Sequence, residues 1–143
     1  MNLDALILAV KFDEGRRVKN GRHELYQCPS GCWTIGYGRN LEANGISEVE
    51  AVDLVTADCI QAFRDAAELV PNWLALDDVR QGVLANMAFN LGKERLAKFV
   101  HLLAAVNELR YADAANEMKQ SLWYTQVGKR AERLALEMET GAV

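Results

Sequence analysis

Leu3, Leu6, Ile7 and Val10 recur at three- and four-residue intervals, which predicts an amphipathic helix over residues 3–12 with Gly15 placed to stop it. Between residues 18 and 40 the period changes. Glycines at 21, 31, 36 and 38, Pro29, and the run Cys32-Trp33-Thr34-Ile35 predict a small antiparallel sheet with tight turns. From residue 47 the helical period returns and persists. Ser47-Glu48-Val49-Glu50 reads as a capping box, and Ala51, Leu54, Val55, Cys59 and Ala62 as the apolar face behind it. Pro71 closes that helix. Asp77 is placed to cap the next one, whose stripe is Val79, Val83, Leu84, Met87 and Leu91, and Gly92 to end it. Further helices are expected over 96–106, 112–122 and 127–139. No repeat of 20–50 residues is visible. The expectation is an α+β protein, a small sheet near the N-terminus and a larger helical body, folded as one domain over 1–143 with a ligand cleft between unequal lobes.

Composition narrows this picture. With 143 residues, half hydrophobic and a quarter charged, the chain has the make-up of one ordinary globular domain. The longest apolar run near the N-terminus, residues 5–10, is too short to span a bilayer and lacks a basic leader, so we expect no stable membrane association and a cytoplasmic protein. Net charge −4 offers no basic footprint for nucleic acid and no general attraction to acidic polymers. Three cysteines do not make a disulfide framework.

Chemistry can be read at a few points. Glu14 ends the first helix, where the chain changes direction and a carboxylate can face a cleft or merely solvent. Thr34-Ile35-Gly36-Tyr37-Gly38 is a strand broken by glycines, which suits either close backbone approach to a ligand or a plain hairpin. Cys28 and Cys32 flank Pro29-Ser30-Gly31. A zinc site with His23, or a Cys–His pair using His23 or His101, are their generic uses, but no second paired motif accompanies them. Cys59 reads as core. Asn86 and Asn90 lie one helical turn apart with Phe89 between them; amides beside a ring suit sugar recognition, and equally a helix edge with Phe89 inside.

Taken in order, Asp13-Glu14-Gly15, Cys28, and Thr34-Ile35-Gly36-Tyr37-Gly38 resemble the active-site strip of the phage-type (T-even-like) lysozymes, glycoside hydrolase family 24. The stretch DDVRQGVLANMAFNLG resembles that family's central helix, and YADAANEMKQSLWYTQVGKRAERLALEMETG its closing helices. The resemblance implies a lysozyme-like fold and assigns roles by position. Glu14 matches the general acid and Thr34 the threonine that holds the attacking water. Cys28 takes the place usually held by aspartate. Arg39 and Asp58 occupy the positions of a histidine–acid pair, which predicts an ion pair between them. Asn90 matches a glutamine near the acid, and Arg130 an arginine that can pair with it. Phe89, Asn40, Leu102 and Glu117 align with substrate-contacting positions, and Phe89 keeps the usual residue type.

Thirteen residues separate Glu14 from Cys28, five more than the family pattern carries. The extra five are placed at 20–24 as a longer hairpin or loop, with Asp13 and Glu24 as the alternative acids. The implied reaction is hydrolysis of the β-1,4 bond between N-acetylmuramic acid and N-acetylglucosamine in peptidoglycan, with inversion. That outcome needs acid and base roughly 6.5–9.5 Å apart. No metal or organic cofactor is implied. The implied biology is an endolysin, a monomer held in the host cytoplasm until a holin releases it. The rival readings are a catalytically weakened peptidoglycan-binding protein on the same fold, a transglycosylase leaving 1,6-anhydro ends, and a metal-binding module on Cys28, Cys32 and His23.

Overall fold

The computed structural model describes residues 2–143 and resolves two compact units, one ending at Val52 and the other beginning at Asp53. The first unit opens with α1 (Leu3–Glu14), two residues longer than the apolar spacing predicts. Asn2 caps it by accepting the Ala5 N–H, and Gly15 ends it at a φ of 64°. A two-stranded antiparallel hairpin follows, β1 (Val18–Lys19) with β2 (Arg22–His23). Its two-residue loop is Asn20-Gly21, with φ of 50° and 76°, the paired positive angles that a type I′ turn requires. This hairpin lies where the extra residues between Glu14 and Cys28 were expected.

A three-stranded antiparallel sheet comes next: β3 (Tyr26–Gln27), β4 (Trp33–Ile35) and β5 (Arg39–Asn40), in the order β3-β4-β5. Tyr26 pairs with Thr34, and Thr34 with Asn40. The short α2 (Leu41–Asn44) is capped by the Asn40 side chain. α3 (Glu48–Leu69) then carries the chain across the boundary between the units. Its capping box forms as the sequence predicts. Glu50 accepts the Ser47 N–H at 2.7 Å, and Ser47 Oγ accepts the Glu50 N–H at 3.3 Å. Strands of two and three residues bury little, and Thr34 is the one buried side chain among the described residues of this unit.

The hydrophobic core belongs to the second unit. It is built from the end of α3, a 3-10 turn (Trp73–Ala75), α4 (Asp78–Leu91), α5 (Lys93–Leu96), α6 (Val100–Asn107), α7 (Tyr111–Lys119), α8 (Leu122–Val127) and α9 (Lys129–Thr140). Leu84, Met87, Leu96, Leu102, Met118, Leu134 and Met138 are its largest fully buried side chains. Asp77 caps α4 through the Arg80 N–H, and Gly92 ends it. Arg80 ties the first turn of α4 to the last turn of α9. It pairs with Asp77, donates to the Met138 and Glu139 carbonyls at 2.8 and 3.0 Å, and stacks 3.6 Å from the Tyr111 ring.

Three expectations are corrected. The helix predicted over 96–106 divides after Leu96, where Lys98 and Phe99 turn back on Arg95 and Leu96 before α6 starts. The helix predicted over 112–122 divides at Ser121, whose hydroxyl donates to the Met118 carbonyl and caps α8 through the Tyr124 N–H. A side-chain hydroxyl here substitutes for the helical ladder, which period alone does not reveal. Cys59 is exposed, not core, because α3 buries only Ala62 and Ala66 and its 22 residues outrun the core they pack on.

Candidate active site

Glu14 is exposed at the C-terminal end of α1, and its side chain lies against the backbone of Gly38. A Cβ at Gly38 would stand 2.6 Å from Glu14 Oε2. Gly38 itself sits at a φ of 82° in the turn Gly36-Tyr37-Gly38 that joins β4 to β5. The carboxyl group can rest there because that residue has no side chain.

Cys28 and Cys32 continue the β3–β4 register and close the turn. The Cys28 N–H donates to the Cys32 carbonyl at 2.9 Å, and the Gly31 N–H to the Cys28 carbonyl at 2.8 Å, with Gly31 at a φ of 88°. Side chains alternate across a strand, so Cys28 and Cys32 share one face of the sheet with Tyr26, Thr34 and Asn40. Strand geometry then places the α-carbons of Cys28 and Thr34 roughly 8 Å apart on that face.

Cys28 Sγ lies 3.0 Å from Ser30 Oγ and accepts the Cys32 N–H at 3.3 Å. The Ser30 hydroxyl first, and the peptide N–H groups of Cys32 and Ser30 beyond it, stabilise a thiolate and lower the thiol to about 7. Ser30 Oγ also lies 3.8 Å from Cys32 Sγ, so one hydroxyl bridges both thiols. Thr34 is 3% exposed, and its hydroxyl donates to the Cys32 carbonyl at 3.1 Å. With its proton committed, Thr34 Oγ1 can only accept. His23, the third group of the metal reading, packs edge-on against Tyr37 at 5.2 Å. Among the described residues, no three His, Cys, Asp or Glu side chains gather as a metal site.

Arg39, expected opposite Asp58, is held by Glu50. Nη1 and Nη2 each donate to one Glu50 oxygen at 3.1 Å, while Nε and Nη2 reach the Gly45 carbonyl at 3.1 and 2.9 Å. The Ser47 N–H and hydroxyl, with the Arg39 charge behind them, hold the Glu50 carboxyl below its ordinary range. A local clamp within the first unit therefore engages Arg39, because a long guanidinium reaches the carboxylate of the capping box. In the second unit Asp58 lines a pocket of about 200 Å³ with Gln61, Asp65 and Phe89.

Within the second unit, Phe89 is 44% exposed and borders a second hollow of about 290 Å³ with Cys59, Asn86 and Arg130. Arg130 donates to Asn86 Oδ1 at 2.8 Å, and Trp123 Nε1 to Asn90 Oδ1 at 2.8 Å. Leu102, 1% exposed, and the half-buried Glu117 belong to a further cavity of about 360 Å³, lined also by Lys98, Phe99, His101 and Gln120. Ser30 escaped sequence reasoning, although its place between two cysteines in a turn was visible.

A family model described as phage lysozyme matches residues 16–137. The chain belongs to the phage lysozyme family. It is 29% identical over 163 aligned positions to the probable T4-type lysozyme 2 of Dictyostelium discoideum, covering 94% of this chain and 93% of that one. The probable T4-type lysozyme 1 of the same organism is 28% identical over 166 positions, with the same coverage. The pre-baseplate central spike protein Gp5 of Enterobacteria phage T4 is 34% identical over 109 positions, 73% of this chain and 19% of the spike protein. Membership makes this α+β chain a glycoside hydrolase of the lysozyme type, with peptidoglycan as the substrate the family implies. Glu14 stands just ahead of the first residue the family model matches, Arg16.

Proposed function

We propose that this lysozyme is an endolysin that cleaves the β-1,4 bond between N-acetylmuramic acid and N-acetylglucosamine with inversion. The observation that carries the reading is the grouping within one unit of Glu14 against Gly38 with Cys28 and Thr34 on one sheet face. Glu14 donates its proton to the glycosidic oxygen as the C1–O bond breaks. A water between Cys28 and Thr34 attacks C1 from the opposite face. Thr34 Oγ1 accepts one hydrogen bond from that water and orients it, and the Cys28 thiolate takes the other proton. The products are a free reducing end, a free hydroxyl on the leaving sugar, the Glu14 carboxylate and the Cys28 thiol. By position in the family pattern, Phe89, Asn90, Asn40, Leu102 and Glu117 take substrate-contacting roles, and Arg130 and Asp58 take supporting ones. The enzyme acts as a monomer. It waits in the host cytoplasm, without stable membrane association, until a holin opens the way to the wall.

Mass spectrometry of muropeptides from purified sacculi tests the bond and the reaction class, because hydrolysis leaves reducing ends and a transglycosylase leaves 1,6-anhydro ends. Proton NMR of the fresh product reads the anomer, and a β product refutes inversion. Glu14→Gln is expected to abolish product formation with an unchanged circular dichroism spectrum. An active variant removes Glu14 from the acid role.

A further inference from the structure

The β1–β2 hairpin carries a charge distribution that the core does not explain. Residues 16–23 contain Arg16, Arg17, Lys19 and Arg22, together with His23, and no acid. Without those four the chain holds 12 basic and 20 acidic residues, so the net charge of −4 conceals a local cationic segment in a strongly acidic protein. The register sets Lys19 directly opposite Arg22, and the Glu24 N–H bonds the Arg17 carbonyl at 2.9 Å to extend the ladder. Arg17, Lys19 and Arg22 therefore share one face. Like charges directly opposed weaken a strand pair, and a hairpin of this size is marginal without packing. Glu24, 4.0 Å from Lys19, is the one carboxylate paired with this face among the described residues, and every side chain from Arg16 to Glu24 is exposed.

The hairpin is also tied to the catalytic turn. It starts at Val18, four residues beyond Glu14. His23 meets the Tyr37 ring edge-on at 5.2 Å, and Lys11 of α1 lies 5.0 Å from the same ring. Tyr37 is the middle residue of the Gly36-Tyr37-Gly38 turn whose Gly38 carries the Glu14 carboxyl. Alternation turns His23 to the face opposite Arg22, so its ring contact anchors the hairpin from behind. On the cationic face Arg17 lies 5.6 Å from the ring of Tyr26, which shares the sheet face of Cys28 and Thr34, and so adjoins the catalytic strip.

We propose that the β1–β2 hairpin is a cationic finger that holds the carboxylate-bearing stem peptides of peptidoglycan beside the catalytic strip. This rests on the proposed muramidase reading and deepens it. Arginine forks match carboxylates in two-bond geometry, and the stem peptides are the anionic part of a strand whose sugars are neutral. The anchor adds binding that is equal in ground and transition states, so it acts on KM and leaves kcat alone.

The test is the triple variant Arg17→Gln/Lys19→Gln/Arg22→Gln, which removes the opposed charges and leaves the turn residues in place. Binding is measured by co-sedimentation, with Glu14→Gln in both proteins so that hydrolysis plays no part. The probes are sacculi freed of phosphate polymers, the same sacculi with their carboxyl groups converted to neutral amides, and phosphatidylglycerol vesicles. The expected result is about tenfold weaker binding of the triple variant to peptide-bearing sacculi at low salt, a difference erased near 1 M salt where screening reaches ~3 Å. No difference is expected on the amidated sacculi. In the active background KM rises about tenfold and kcat holds. Equal binding of both proteins to peptide-bearing sacculi, an equal loss on the amidated sacculi, or a loss confined to the vesicles overturns the proposal. A parent enzyme that leaves no reducing ends would sink the muramidase reading without touching the binding result.

Discussion

Gly38→Ala isolates the placement of the acid from the stability of the fold. Gly38 has a φ of 82°, where an L side chain costs about 1–2 kcal/mol. The new Cβ would stand 2.8 Å from the Glu14 carboxyl carbon, roughly 0.7 Å inside the ~3.5 Å at which carbon atoms rest. Glu14 is exposed and flexible, so it relieves the clash by swinging away, with little further loss of stability. Catalysis does not share that tolerance, since a displacement of about 1 Å at the reacting groups costs on the order of a hundredfold. Gly36→Ala is the control. Its φ is 66°, and a Cβ there meets nothing within 4 Å. Both variants should lose about 1–2 kcal/mol in urea denaturation. Only Gly38→Ala should lose about a hundredfold in the initial rate of sacculus solubilisation. Equal activity of the two folded variants would refute the placement of Glu14.

The thiol chemistry predicts a pH profile. With Cys28 lowered to about 7, kcat/KM should rise through that pH as the thiolate forms. Ser30→Ala should move the rising limb to higher pH, and Cys28→Asp should extend activity to lower pH, because an unperturbed aspartate titrates near 3.9; a profile unmoved by either substitution removes Cys28 from the base role. Glu50 has a lowered carboxyl, so its contribution to stability is fully present above the ordinary value of about 4.3 and is lost as pH falls below it. Thermal melts of Glu50→Gln should show a smaller loss of stability on acidification than the parent, and parallel pH curves would contradict the clamp. Arg80→Met should destabilise by about 3 kcal/mol in chemical denaturation, since it leaves the Asp77 carboxylate without its cation and the last carbonyls of α9 without their donor. Arg80→Lys should recover only part of this, because an ammonium lacks the planar fork that stacks on Tyr111.

Elements governed by neighbours in the chain were legible in advance. The Ser47–Glu50 capping box, the Asp77 cap, the stops at Gly15 and Gly92, and the turn-rich segment before the helices all appear where the residues predicted them. Each depends on groups within about four residues, so the sequence carries the interaction directly. The family spacing pointed to a longer connection between Glu14 and Cys28, and its Asn20-Gly21 pair dictates the turn that shapes it. The ordered resemblance across the chain was enough to name the family.

What only the folded chain decided depends on which side chains reach one another. Arg39 could have met any carboxylate within its reach, and the fold of β5 and α2 presents it to Glu50. The exposure of Cys59 follows from how far α3 extends beyond its core. The breaks at Lys98 and Ser121 come from backbone and hydroxyl bonds that override an unbroken apolar period. The Ser30 bridge between two thiols, the Glu14 carboxyl against Gly38, and the shared face of Lys19 and Arg22 are likewise products of register and turn geometry. Sequence specifies propensity along the chain, whereas proton affinity, accessibility and charge pairing depend on distances in space, and these exist only once the chain has folded.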